Sequence, residues 1–247
     1  MKLKLAAALL VSALSVSAAQ AQVSQVAYGS LSGTQFVTFD DIAGGGAPGT
    51  NYDAIFYSNG VGFGERFTGQ TVTDVGGFDQ LGGSPTALTL ATGVAGQNLN
   101  VFVNAGTNVL TGLGSQGFPS FGAIGEGAFA ALFSSGQSQF GFQLVGGNGG
   151  TANVSFFRGD GSLIQNIALG GLADSYYGFS RDGGINDIRG ISIWNNDGGG
   201  IGFDNLKFDV RSVGGAVPEP STWAMMILGL GFIGAGMRRR AGRLVAA

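Results

Sequence analysis

The chain has 247 residues, 48 of them glycine, and contains neither cysteine nor histidine. Those two absences exclude Ser-His-Asp and Cys-His nucleophilic centres, zinc held by His or Cys, and any disulfide. The net charge of −3 hides an uneven distribution: residues 22–217 carry 14 acidic against 6 basic residues, a net −8 that repels phosphates and argues against nucleic acid as a partner.

Residues 1–21 open with Lys2 and Lys4, continue as an apolar run from Leu5, and end on Ala19-Gln20-Ala21. A charged start, an apolar middle and an A-x-A site make a secretory signal peptide. Cleavage is expected after Ala21, which leaves residues 22–211 as the exported domain, a length that suits one domain with a sizeable core. Glycine does not recur at every third position, which excludes collagen, and the apolar and aromatic residues between the glycines exclude a disordered linker.

Residues 35–40 (QFVTFD) alternate with a period of two and predict a first strand, followed by a GGGAPGTNY loop. A short apolar patch at 55–57 and the Asn59-Gly60 turn lead into a strand over 61–67, with Val61, Phe63 and Phe67 on one face. Residues 71–85 read as irregular, 87–90 and 98–103 as strands, and 107–126 as an ordered connection whose leucines and phenylalanines need burial. Residues 128–133 (AFAALF) form a buried strand or a short helix. Residues 139–145 put Phe140, Phe142 and Leu144 on one face. Residues 152–158 and 162–169 pair through Gly159-Asp160-Gly161, since Asp-Gly between alternating runs is a hairpin cue. Strands over 176–180, 188–194 and 202–210 bring the total to about ten or eleven. No helical period is sustained outside the two termini, so the expected fold is all-β, an antiparallel jelly-roll-like β-sandwich.

Three groups of side chains are candidates for chemistry. Asp40 and Asp41 would meet Asp204 and Asn205 if the first and last strands lie side by side, and such oxygen donors suit a structural calcium. The alternative is polar strand ends that face water. Trp194 with Asn195, Asn196 and Asp197 offers an aromatic face beside amides and a carboxylate, as sugar binding needs, or else a rim tryptophan before a glycine-rich turn. Tyr176 and Tyr177 carry the same ambiguity. Glu126 could join another acid as a glycosidase pair, although nothing in the sequence marks one pair as desolvated, and no enzymatic activity is expected. Arg158-Gly159-Asp160 spells an adhesive tripeptide but falls in a hairpin turn.

After a short linker at 212–217 comes the tail, 218–247. Pro218-Glu219-Pro220 is followed after two residues by Trp223-Ala224, an uncharged stretch over 223–237, and an arginine cluster at 238–243 headed by Arg238, Arg239 and Arg240. As a helix the stretch would span about 22 Å, short against a hydrocarbon core of about 30 Å. Snorkelling arginines and an interfacial tryptophan make up the difference, and the arginines stay cytoplasmic. This order of elements resembles the PEP-CTERM sorting signal in its PEPxxWA form. The resemblance implies an exported protein of a Gram-negative bacterium that also makes exopolysaccharide. It implies a precursor anchored in the inner membrane by its C-terminal helix and handled by an exosortase-type membrane enzyme, and a final place at the cell surface or in the medium. Such a protein is expected to be structural or adhesive in the exopolysaccharide or biofilm layer, with a carbohydrate-binding, lectin-like module as the alternative. The FVTFDD opening and GIGFDNLKFDV closing are similar to other ectodomains of that family and to lectin-like jelly rolls.

Overall fold

The computed structural model describes residues 22–209. Tight glycine turns cut this segment into many short strands. In chain order they are β1 (Val23–Val26), β2 (Gln35–Val37), β3 (Thr50–Tyr52), β4 (Phe56–Ser58), β5 (Val61–Gly64), β6 (Arg66–Phe67), β7 (Thr71–Val75), β8 (Phe78–Gly82) and β9 (Leu90–Ala91). The second half supplies β10 (Leu99–Asn104), β11 (Thr107–Leu113), β12 (Ile124–Gly127), β13 (Phe129–Gln137), β14 (Gln139–Gly146) and β15 (Thr151–Phe157). It ends with β16 (Leu163–Gly170), β17 (Ser175–Arg181), β18 (Ile188–Asn195) and β19 (Ile201–Asp209). Three 3₁₀ turns complete the elements, and among the described residues no helix is long and apolar enough to cross a membrane. The signal peptide with Ala19 and Ala21, the linker, the sorting motif and the apolar tail stretch lie outside the described residues.

The strands form two main antiparallel sheets. A nine-stranded sheet runs β1-β17-β14-β19-β11-β10-β3, with β12 beside β11 and β2 beside β19; a six-stranded sheet runs β16-β15-β18-β13-β5-β4. The ribbons β6-β9 and β7-β8 are separate two-stranded pieces. Alternation decides which side chains lie between the sheets. Phe140, Phe142 and Leu144 of β14 are buried there, facing Phe129 and Phe133 of β13 and Phe156 of β15. The layers interlock through phenyl pairs: Phe129–Phe203 at 4.7 Å between ring centroids, Phe156–Phe179 at 5.2 Å and Phe133–Phe140 at 5.9 Å. Each such pair adds about 0.5–1.5 kcal/mol beyond area burial.

The structure departs from the sequence expectation at several places. The strand expected over 61–67 breaks at Glu65. β5 stays in the six-stranded sheet while β6 leaves it to pair with β9. Phe67 therefore joins a second, smaller cluster with Ala130 and Phe157 rather than the core that holds Val61 and Phe63. It fits because position 190 is glycine: a Cβ there would stand 2.5 Å from Phe67 Cζ. Residues 71–85 hold the β7–β8 hairpin, turned by Gly76 and Gly77, both at positive φ. Residues 107–126 are not a connection: β11 sits inside the nine-stranded sheet with β12 at its side. AFAALF is the expected buried strand, within β13. The expected Asp-Gly hairpin does form, with β15 and β16 paired along their length and the Gly161 amide donating to the Arg158 carbonyl at 2.9 Å.

Candidate functional site

The outer face of the nine-stranded sheet gathers exposed aromatic and polar side chains. Because Phe142 and Leu144 point inward, Gln143 points outward, directly between Tyr176 on β17 and Asp204 on β19. Gly141 and Gly178 are cross-strand partners and leave the face bare beside it. The 28–31 turn settles there: a Cβ on Gly178 would lie 2.9 Å from Tyr28 Cα, and one on Gly141 would lie 2.5 Å from Leu31 Cδ1. This seat brings the Tyr28 ring to 5.0 Å from that of Tyr176, which is 53% exposed.

A polar network ties the patch together. The Tyr28 hydroxyl donates to the Asn205 carbonyl at 2.8 Å. Its burial, with smaller contributions from Tyr176 and Asp204, pushes the phenol up to about 12, so it remains a donor at any physiological pH. Asn205 has φ 49°, at the point where β14 and β19 slip in register, and its amide donates to Gln143 Oε1 at 2.7 Å. Lys207 Nζ lies 5.6 Å from the ring centroids of both Tyr28 and Phe36 and donates to the Leu31 carbonyl. Farther along the sheet a groove of ≈ 380 Å³ opens among Phe102, Phe121, Val145, Asp174 and Gly202. Phe121 is 70% exposed, and the Asp174 carboxylate is fixed by the Gly146 amide at 2.6 Å. Gly202 has to be glycine, since a Cβ would stand 2.4 Å from Val109 Cγ1. Exposed rings beside amides and carboxylates can stack on the apolar face of a sugar and hold its hydroxyls.

The sequence-derived candidates distribute differently. β2 pairs with β19, so the first and last strands do lie together. Asp40 accepts from the Asn108 amide, and its charge contributes to raising Asp204, after burial as the main cause. Asp41, however, turns to Ser58 Oγ and the Asn59 amide. Asp204 accepts from Thr107 and from Asn205. The four do not converge on one point, and among the described residues no group of three or more carboxylates could hold a metal ion.

Asp197 is 0% exposed and accepts from the amides of Asn148, Gly150 and Gly199, which staples two glycine turns together. Asn195 is buried against the Gly125 carbonyl, and Asn196 holds the Thr151 amide. Of that constellation, the half-buried Trp194 ring remains accessible on the outer side of the six-stranded sheet, with its polar neighbours committed to backbone. Burial pushes the Glu126 carboxyl up, and its Oε2 packs beside the Gly77 turn. Arg158 is drawn to Asp187 at 3.0 Å, while Asp160 closes its own turn on the Ser162 amide.

One cluster escaped the sequence reading. Glu65, at the β5–β6 corner, and Asp79, on β8, are both buried and line one cleft, and after burial the charge of Glu65 helps to push the Asp79 carboxyl up. The signal was Asp74 and Asp79 on either side of Gly76-Gly77, which only a hairpin register sets face to face.

Residues 216–240 match the family model of the PEP-CTERM protein-sorting motif. No curated protein matches the chain. Among solved structures, the structure of CsCBM6-3 from Clostridium stercorarium in complex with cellobiose is similar at 16% identity and a TM-score of 0.27, covering 46% of this chain and 82% of that one.

Proposed function

From a chain that carries a PEP-CTERM protein-sorting motif at residues 216–240, we propose an exported surface protein whose tail is handled by an exosortase-type enzyme and whose β-sandwich is structural or adhesive cargo in an exopolysaccharide layer. The sorting motif is the observation that carries this. In this reading residues 1–21 serve as its signal peptide and residues 223–237 as the membrane anchor of the precursor until processing. No catalysis is assigned, because the chain lacks the histidine and cysteine on which most nucleophilic and zinc centres depend. Fractionation of cells that express the full chain or a chain ending at residue 217 tests the sorting. The full chain is expected at the membrane and cell surface, and the shorter one in the periplasm or medium. Identical distributions would overturn the proposal.

The Tyr28–Tyr176 pair and the Phe121 groove favour a second reading, in which the outer face of the nine-stranded sheet binds glycan directly. Both Tyr176 and Phe121 are exposed, so Phe121→Ala should leave stability within about 0.5 kcal/mol and Tyr176→Ala, which gives up its ring pair with Tyr28, within about 1.5 kcal/mol. Each should abolish retention on a glycan array that the unaltered protein shows. Undiminished retention by both variants would assign the binding elsewhere.

A further inference from the structure

A second concavity, of ≈ 540 Å³, lies between the β6–β9 ribbon, the β7–β8 hairpin and the chain around 92–97, and its lining includes Glu65, Arg66, Asp74, Asp79 and Gln97. It sits on the outer side of the six-stranded sheet, where β8 packs on β18 and Gln70 donates to Ser192 Oγ. It is therefore separate from the sheet face discussed above, and the proposal made here does not rest on that reading.

The cleft is built around carboxylates from three elements. Asp74 on β7 and Asp79 on β8 are directly opposed, an arrangement that like charges disfavour. Glu65 comes from the β5–β6 corner, paired with Arg66, and Gly93 makes room for it: a Cβ there would stand 2.2 Å from Glu65 Oε1. Asp79 is 4% exposed. Its carboxylate accepts from the Ala128 amide, but Oδ2 is buried with no hydrogen-bond partner. A buried carboxylate oxygen without a donor is costly and calls for an explanation, of which a donor from outside the chain is one.

The other groups in the cleft narrow the chemistry. The amide nitrogens are already used, Gln70 on Ser192 and Gln97 on the Ser115 carbonyl. Beside the hydroxyls of Thr71, Thr92 and Ser115, the cleft offers mainly acceptors, with three carboxylates against one guanidinium. An anion is repelled. A multivalent metal lacks its cage, since among the described residues no three carboxylates are grouped to hold one. A neutral alcohol would supply donors but would leave the opposed charges of Asp74 and Asp79 uncompensated. A compact organic cation with several N–H donors meets both demands.

We propose that this cleft binds a protonated primary amine, with Asp79 and Asp74 as its acceptors and Glu65 held back by Arg66. Burial, then the charges of Glu65 and Asp74, push the Asp79 carboxyl up to about 7. The charged groups facing it are Glu65 and Arg66 from the β5–β6 corner and Asp74 from β7. The amine should displace a proton from Asp79, so affinity should rise with pH through that range.

Calorimetry on the purified full-length protein tests this with putrescine against 1,4-butanediol, and with glucosamine against glucose. Each pair keeps the carbon skeleton while every ammonium, two in putrescine and one in glucosamine, is replaced by hydroxyl. At least one amine should bind ten-fold or more tightly than its alcohol, and which amine binds identifies a polyamine or an amino-sugar carrier. Putrescine, if bound, should bind about ten-fold more tightly at pH 8 than at pH 6. Asp79→Asn should weaken binding at least ten-fold, while Asp182→Asn, on the β1–β17 edge, should leave it unchanged. Should Asp79→Asn fail to fold, the pH series on the unaltered protein decides alone. Equal affinity for amine and alcohol, absence of amine binding at 10 mM, or a flat pH series would each overturn the proposal.

Discussion

Asp79 holds its proton far above the usual carboxylate range, and the sign of the consequence follows. Its folded-state value, pushed up to about 7 by burial and by Glu65 and Asp74, exceeds the unfolded value of 3.8. The folded chain therefore binds the proton more tightly, and the stability this contributes is complete below about pH 4 and lost as pH rises through about 7. Asp79→Asn removes that dependence. Thermal melts should show the variant gaining on the unaltered protein between pH 5 and pH 8, by up to about 2.5 kcal/mol. Asp187 is the opposite case. Burial raises its carboxyl, but the hydrogen bonds and charges of Arg181 and Arg158 outweigh that and hold it below the ordinary range. Arg181 is buried and reaches both Asp187 oxygens, at 2.7 and 2.9 Å. Arg158 comes from the β15–β16 hairpin and Arg181 from β17, so one carboxylate joins the two sheets. Asp187→Ala should cost about 3–5 kcal/mol in urea denaturation, because it removes the carboxylate that accepts twice from a buried guanidinium.

Elements were legible where side-chain chemistry alternates and hidden where it does not. β14 announces itself through Phe140, Phe142 and Leu144, and β15–β16 through an Asp-Gly turn between alternating runs. β7 was lost because Thr71, Thr73, Asp74 and Val75 are all exposed, so the hairpin has no apolar stripe. β11 and β12 were lost for a different reason: their pairing depends on glycine. Gly112 and Gly127 are cross-strand partners, and a Cβ on Gly112 would stand 2.3 Å from the Gly127 carbonyl carbon. A side chain could give way, but backbone in the middle of a sheet cannot. Gly112→Ala should therefore cost about 3 kcal/mol or more in equilibrium unfolding. The same blindness applied to function. Asp197 looked available beside Trp194 because sequence shows a carboxylate but not the three amides that occupy it. Tyr28 and Tyr176 are far apart in sequence, and the glycine seat at Gly141 and Gly178 that brings them together has no local signature.

At the scale of the molecule, the sorting address and the sheet body differ in how sequence encodes them. The address is a contiguous run of residue types at residues 216–240, so a short pattern is enough to identify it. The body is specified by long-range pairing. β19, the last described element, runs through the interior of the nine-stranded sheet and pairs with β14, β11 and β2. Without β19 that sheet divides into β1-β17-β14 on one side and β11-β10-β3 on the other, with β2 unpaired. A polypeptide ending at residue 200 should thus lack cooperative unfolding and be digested by protease within minutes. On the export route proposed above, N-terminus first, the keystone would arrive last. The nine-stranded sheet would then be complete only once β19 had crossed.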